Sequence, residues 1–126
     1  MNVVFSPTAA GPATSSLTIS GLNDPANSSL TVALTGTGLL PPTGSVNPTS
    51  LAFGNQATNV TSAIKTVTLS NSGSSAMAIT SISTSGNFAR NTTVANNCGT
   101  SVAGGGSCNI GVTFRPTSLG AKSGTL

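Results

Sequence analysis

The chain carries an internal repeat that relates its two ends. Residues 3–17 read VVFSPTAAGPATSSL and residues 112–126 read VTFRPTSLGAKSGTL, with 6 of the 15 positions identical. The offset, set by Phe5 and Phe114, is constant at 109 residues (114 − 5). A fixed self-similarity indicates tandem units, and 109 residues is the length of a domain. We therefore expect the end of one unit, a linker and most of a second unit.

Short alternating apolar runs predict an all-β fold. Leu17 and Ile19 alternate with polar residues in one such run, and Leu30, Val32 and Leu34 do so in the next. Similar runs recur along the remaining chain between Gly, Asn and Ser turns, whereas helical periodicity is absent. We predict an antiparallel β-sandwich, built from tandem repeats whose boundaries fall inside the chain.

A proline pair marks the boundary between the two units. Pro41 and Pro42 cannot donate to a sheet ladder, and they stiffen the segment that contains them. We predict three parts, which are the C-terminal strands of one unit (1–38), a Pro-rich linker (39–44) and a second unit that lacks its last strand or strands (45–126). Short strands are also expected at residues 3–5, 51–53, 79–82 (with a bulge or bend) and 124–126.

The composition excludes most catalytic chemistry. The chain has four basic residues, one acidic residue, Asp24, and no histidine, tyrosine or tryptophan. Acid–base and triad catalysis need His or paired carboxylates, and metal sites need more ligands than two Cys and one Asp. Nucleic-acid binders cluster their basic residues, which are scattered here. We expect no enzyme activity, no cofactor, no metal and no nucleic-acid partner.

Cys98 and Cys108 enclose a loop that includes the glycine run Gly104–Gly106. Two cysteines cannot supply a four-ligand zinc site, and their spacing differs from that of CxxC redox motifs. A disulfide fits best and would indicate an oxidising compartment, with two buried thiols as the alternative. The glycine run lacks the GKS or GKT ending of a phosphate-binding loop, so we expect a turn.

Several motifs resemble a known family. Residues 46–56 (VNPTSLAFGNQ) resemble the opening of the bacterial choice-of-anchor D repeats, which are relatives of the ASPM/SPD-2/Hydin (ASH) immunoglobulin-like domains. Residues 65–73 (KTVTLSNSG) resemble the family's central strand and turn, and residues 112–117 (VTFRPT) its VTFxPT motif. The cysteine loop resembles the family's paired-cysteine loop. Residues 30–38 (LTVALTGTG) resemble the strand that closes a unit.

The resemblance implies a seven-stranded immunoglobulin-like sandwich that occurs in tandem arrays on secreted or surface-anchored bacterial proteins. It brings no catalytic residues to this chain. We therefore expect an extracellular or cell-surface location. No stretch is apolar and long enough to span a membrane, so no membrane insertion is expected.

Under the same offset of 109, residues 18–38 of the first unit are equivalent to the positions that would come after Leu126 in the second unit. A longer array, a neighbouring copy docked head to tail, or fold-back within one chain would each complete the sandwich. Six linker residues reach roughly 20 Å, less than the about 25–30 Å needed to cross a sandwich, which disfavours fold-back. The duplicated residues 3–17 disfavour docking, because the acceptor already has residues 112–126. The candidates for strand complementation are Leu17, Ile19, Leu30, Val32 and Leu34.

Two functions agree with these observations. The first is a structural unit of an extracellular or cell-surface bacterial stalk or filament, whose partners are adjacent repeats or copies of itself, head to tail. The alternative is an adhesion or ligand-binding module with a glycan or cell-surface partner. That alternative needs an exposed aromatic or charged cluster, which the sequence lacks.

Overall fold

The structure is a computed structural model that describes residues 2–126, so residue 1 of the predicted first part lies outside it. The described residues form two compact units that divide between Leu40 and Pro41. Every ladder between two strands in this range is antiparallel. The eight strands are β1 (Gly11–Ser20), β2 (Ser29–Gly38), β3 (Gly44–Asn47), β4 (Lys65–Asn71), β5 (Met77–Ala78), β6 (Phe88–Asn91), β7 (Ser101–Val102) and β8 (Ser107–Phe114).

The first unit is a long hairpin. β1 and β2 pair along their full length, from Gly11 opposite Gly38 to Ser20 opposite Ser29. Both strands alternate apolar and polar side chains, which suits a ladder with one buried and one solvated face. The two predicted strands, one containing Ile19 and the other containing residues 30–34, are therefore present.

The hairpin turn is organised by the one acidic side chain. The carboxylate of Asp24 accepts a hydrogen bond from the backbone N–H of Ala26 at 2.9 Å and another from Asn27 Nδ2 at 3.2 Å. Both bonds lower the pKa of Asp24 below its ordinary value, because they favour the ionised form. The bond from Ala26 has the larger effect and the bond from Asn27 the smaller one. Asp24 thus acts as an Asx-type turn residue rather than as a reactive acid.

The strand expected at residues 3–5 does not form. No ladder joins these residues to another strand within the described chain, and Val3 and Val4 are exposed. Phe5 is 51% exposed, and one side of its ring lies against β2, since a Cβ added at Gly36 would lie 2.8 Å from that ring. The apolar pattern was genuine, but it reflects side-chain packing and not backbone pairing.

The second unit is built on a four-stranded sheet in the order β3-β4-β8-β6. At its centre Val67 lies opposite Ile110, and Leu69 lies opposite Cys108. β3 pairs with the other side of β4 and begins at Gly44, which was predicted as the last linker residue. Residues 41–43 alone therefore separate this sheet from the first unit's end at Leu40.

A second, two-stranded sheet of β5 and β7 lies in the same unit. The core between the layers contains five buried side chains, Cys98, Val102, Cys108, Ile110 and Val112. Partly buried apolar side chains complete it, namely Leu51, Phe53, Leu69, Met77, Ile79, Ile82 and Phe88. Two layers of antiparallel strands around one apolar core form the predicted immunoglobulin-like sandwich.

Three phenylalanine rings pack together at one side of this core. The centroids of Phe88 and Phe114 are 4.9 Å apart, and the ring of Phe53 lies 5.6 Å from the first and 5.8 Å from the second. Such aromatic pairs add about 0.5–1.5 kcal/mol beyond the burial of their area. Phe53 lies in no strand, contrary to expectation, because the segment 51–53 is held by this side-chain packing rather than by a ladder.

Candidate interaction groove

An apolar groove of about 750 Å³ opens on the second unit. Its floor is the inner face of the main sheet, formed by Val46, Val67, Leu69, Ile110 and Val112. In β4 and β8 these residues are two positions apart, so they project to the same side of the sheet. Val67, Ile110 and Val112 are only 3–5% exposed, so the groove is a partly open edge of the sandwich's own core rather than a ligand pocket added to its surface.

One wall of the groove has an unpaired backbone. The N–H of Ile79 donates to Thr100 O at 2.8 Å, and the N–H of Ser85 donates to Thr125 O at 3.0 Å. Between them, residues 80–84 make no backbone–backbone hydrogen bond within the described chain, so the strand expected at residues 79–82 does not form. Unpaired N–H and C=O groups beside an apolar face are what an added β-strand would need.

The end of the described chain lies along the same wall. Gly124, Thr125 and Leu126 line the groove, and the Thr125 N–H donates to Ser85 Oγ at 2.9 Å. The strand expected at residues 124–126 is absent as a ladder, because only residues around Ser85 pair with it. Short contacts of this kind hold the segment beside the groove without covering it.

The five complementation candidates all lie on one face of the β1–β2 hairpin. Leu17 is opposite Val32 and Ile19 is opposite Leu30, and Leu34 shares their side because it is two residues from Val32. Ile19 is 43% exposed, and Leu30 and Val32 are each 49% exposed. The hairpin therefore carries an apolar face that is largely open to solvent, and its insertion into a neighbour stays a prediction.

The two cysteines form a buried disulfide. The Cys98 and Cys108 sulfurs are 2.00 Å apart, and their Cα atoms are 4.9 Å apart. Cys108 belongs to β8, whereas Cys98 lies in the preceding loop, where its N–H donates to Asn109 O at 2.9 Å. The bridge thus ties the loop of residues 99–107 to the central strand that forms the groove floor.

Asn71 is a buried residue that the sequence-based prediction did not single out. It is 1% exposed, and its Oδ1 accepts hydrogen bonds from the N–H groups of Thr43 and Gly73 at 3.0 and 3.1 Å. Its Nδ2 donates to three carbonyl oxygens, those of Ser75 at 2.8 Å, Val102 at 3.3 Å and Ala103 at 3.2 Å.

One side chain therefore joins the start of the second unit, the turn after β4 and the end of β7. A signal was available in the sequence. Asn71 continues the inward register of Val67 and Leu69 and is therefore a polar residue at a core position. Buried polar groups in native structures are hydrogen-bonded, so such a position predicts a local network.

The glycine run in the cysteine loop is a packed turn. Gly105 has a φ of 69° and its N–H donates to Gly73 O at 2.9 Å. A Cβ added at Gly104 would collide with the backbone carbonyl of Ser74. The expected turn is present. It packs so closely against residues 73–74 that position 104 has no room for a side chain, and glycine meets that need.

Replacing Gly104 by alanine is expected to lower the free energy of unfolding by about 1–3 kcal/mol, because the backbone must shift to admit the methyl group. Gly99→Ala is the matched control in the same loop, since nothing lies within 4 Å of its added Cβ. Chemical denaturation followed by far-UV circular dichroism measures both. Equal midpoints for the two variants would contradict the close contact at Gly104.

The charged side chains do not gather into a chemical site. Arg90 Nη2 donates to Cys98 O at 2.6 Å, and Arg115 Nε donates to Asn59 O at 3.0 Å. Within residues 2–126 there is no group of three or more His, Cys, Asp or Glu side chains that could hold a metal ion. The same range contains no helix of the length and apolar character needed to cross a bilayer.

Comparison with protein families agrees with this architecture. The family described as "HYDIN/CFA65/VesB-like, Ig-like domain" matches residues 42–126, which is more than half of the chain and includes β3 to β8. No curated protein and no solved structure matches the chain. Domains of this family are typically non-catalytic. The predicted membership is confirmed, and the chain belongs to the HYDIN/CFA65/VesB-like family of ASH-type immunoglobulin-like domains.

Proposed function

We propose that this chain is a structural unit of an extracellular or cell-surface bacterial stalk or filament, assembled head to tail with strands completed by adjacent units. One observation carries the proposal. The second unit has an apolar groove beside an unpaired backbone segment, and the first unit has a hairpin with an exposed apolar face. A donor surface and an acceptor surface on one chain suit a head-to-tail assembly.

Two further features support a structural role. The 109-residue offset between the chain's ends suits repeated units along an axis. The buried disulfide suits an oxidising, extracellular environment, where such bridges persist. These features explain how a domain with few and scattered charges could contribute to function by linking to its neighbours.

The adhesion alternative receives less support. Adhesion to a glycan or to another surface partner would need an exposed aromatic or charged cluster. The aromatic cluster of this chain, Phe53, Phe88 and Phe114, packs its rings against one another in the core. The chain contains no tyrosine and no tryptophan.

Electron microscopy and surface labelling test the proposal. The purified, oxidised chain is expected to form linear particles of varied length, and an antibody against it is expected to label intact source cells. Monodisperse globular particles, together with labelling only after cells are permeabilised, would contradict the structural role. A glycan array supplies the comparison, because reproducible selective binding would favour adhesion instead.

A further inference from the structure

We propose that the occupant of the groove is the β1–β2 hairpin of a second copy of this chain, docked in a register that places the donor's Ile19 opposite the acceptor's Ile82. This inference rests on the proposed function, because it names the segment that joins one unit to the next.

The direction follows from contacts at the end of the groove. Ser85 pairs with Thr125, and a Cβ added at Gly86 would lie 3.1 Å from Ser123 O. As residue numbers rise on one segment they fall on the other, so the two segments run antiparallel. A strand that continues past Leu126 in this direction would run alongside the unpaired residues 80–84.

The register follows from the repeat. If Ser85 faces position 125, antiparallel pairing places position 128 opposite Ile82. The offset of 109 makes position 128 equivalent to Ile19. The pairing of Ile19 with Ile82 does not depend on which copy supplies the preceding segment. The acceptor's Gly120–Leu126 and the donor's Gly11–Leu17 are equivalent positions under the offset of 109, so either one leads to the same register.

The chemistry of the two surfaces matches in this register. Ile82 lines the groove, and Ile19 is among the exposed apolar residues of the hairpin. Leu30 lies opposite Ile19 within the hairpin, and Val32 shares their face, so both would enter the groove with it. Docking would therefore bury three side chains that are each 43–49% exposed in the first unit.

Charge does not oppose the docking. Lys122 is the one charged residue among those that line the groove, and Asp24 is the one charged residue of the hairpin. Asp24 lies in the turn between the strands, where its hydrogen bonds are local. The docked strands would bring no charge into the apolar interior, which removes the main cost of burying such a surface.

The asymmetry of the contact determines what assembles. The hairpin and the groove are different surfaces, so a copy that donates its hairpin to one neighbour can still accept another hairpin in its groove. Heterologous contacts of this kind continue into open filaments unless the rotation closes a ring. This docking therefore supplies a physical means of elongation for the proposed stalk or filament.

Cysteine pairing between two full-length variants tests the register. Ile19→Cys in one variant and Ile82→Cys in the other would place the two Cα atoms about 4.5–5.5 Å apart, which lies within the Cα–Cα range of disulfides. A size tag on one variant separates the mixed dimer from dimers of either variant alone. Peptide mapping of the dimer then identifies the linked cysteines and excludes exchange with Cys98 and Cys108.

The expected result is a reductant-sensitive mixed dimer, on the order of tenfold more abundant than in the control, because docking raises the effective concentration of the two thiols. The control mixes Ile19→Cys with Ser83→Cys, since adjacent residues of a strand point to opposite faces. A second pair, Ser20→Cys with Ser81→Cys, tests the same register without altering an apolar side chain. Circular dichroism verifies that each variant folds.

Other results would overturn the inference. No excess of mixed dimer for either pair, or cross-linking within a single chain when Ile19→Cys and Ile82→Cys are combined, would exclude docking by a second copy. Filaments without the cross-link would leave the structural role standing and remove this inference. Cross-linked dimers that never elongate or reach the cell surface would keep the docking and remove the structural role.

Discussion

Replacement of Asn71 by alanine is expected to lower the free energy of unfolding by about 3–5 kcal/mol, because each buried group left without a partner costs about 1–3 kcal/mol. The truncation would remove the acceptor used by two N–H groups and the donor used by three carbonyl oxygens. Unfolding in urea measures the change. Far-UV circular dichroism is the suitable probe, since the chain has no tryptophan or tyrosine.

An exposed asparagine provides the matched control. Asn55 is exposed, and Asn55→Ala is expected to change stability by less than about 0.5 kcal/mol, as is usual for surface substitutions. Domains of this size have about 5–15 kcal/mol of stability, so the Asn71 variant should be partly unfolded under mild conditions. Similar midpoints for the two variants would show that the Asn71 network contributes little.

Reduction of the Cys98–Cys108 disulfide is expected to lower the free energy of unfolding by about 2–3 kcal/mol, because the unfolded chain regains the freedom of the loop that the bridge closes. The bridge joins that loop to β8, the central strand of the sheet, so the effect should extend to the whole second unit. Chemical denaturation with and without a phosphine reductant measures the difference.

A double variant controls for other effects of the reductant. Cys98→Ala with Cys108→Ala has no disulfide, so its denaturation midpoint should be the same with and without reductant. The intact mass of the unmodified chain should rise by two hydrogens on reduction. An unchanged midpoint in the reduced chain, with the mass shift verified, would contradict a stabilising role for the bridge.

The strands that the sequence predicted well are those whose pattern is local. β1 and β2 alternate apolar and polar residues across a turn that contains Asp24, so hairpin pairing needs no distant information. β4 and β8 also show the alternation, and the structure pairs them in one antiparallel ladder. A strand signal of this kind contains its own periodicity, although β8, which pairs with β4, is not the next strand along the chain.

The predicted strands that failed lacked a backbone partner. Residues 51–53 and 3–5 have the apolar residues of a strand, yet Phe53 and Phe5 are held by side-chain packing. Residues 124–126 approach Ser85 through isolated hydrogen bonds. Alternation reports which side chains are buried, whereas a strand also requires a ladder, and the position of a neighbouring strand is a property of the folded chain.

The same distinction applies to the groove. The sequence singled out the apolar residues of the hairpin, including Ile19 and Val32, because their alternation is visible in one segment. It did not reveal that residues 80–84 are left unpaired along the groove, or that Asn71 contacts Val102 and Ala103. Those contacts join segments about thirty residues apart, and local pattern holds no information about such distances.

The sequence by itself therefore determined the all-β class and the absence of the side chains that most catalysis requires, because these depend on composition and local periodicity. Its motifs also identified the family by resemblance. The tertiary structure alone decided where the groove opens, which backbone groups lie unpaired along it and which polar side chain joins the loops. The physical reason is that hydrogen-bond pairing and burial depend on what the folded chain brings side by side, which neighbouring residues in the sequence do not specify.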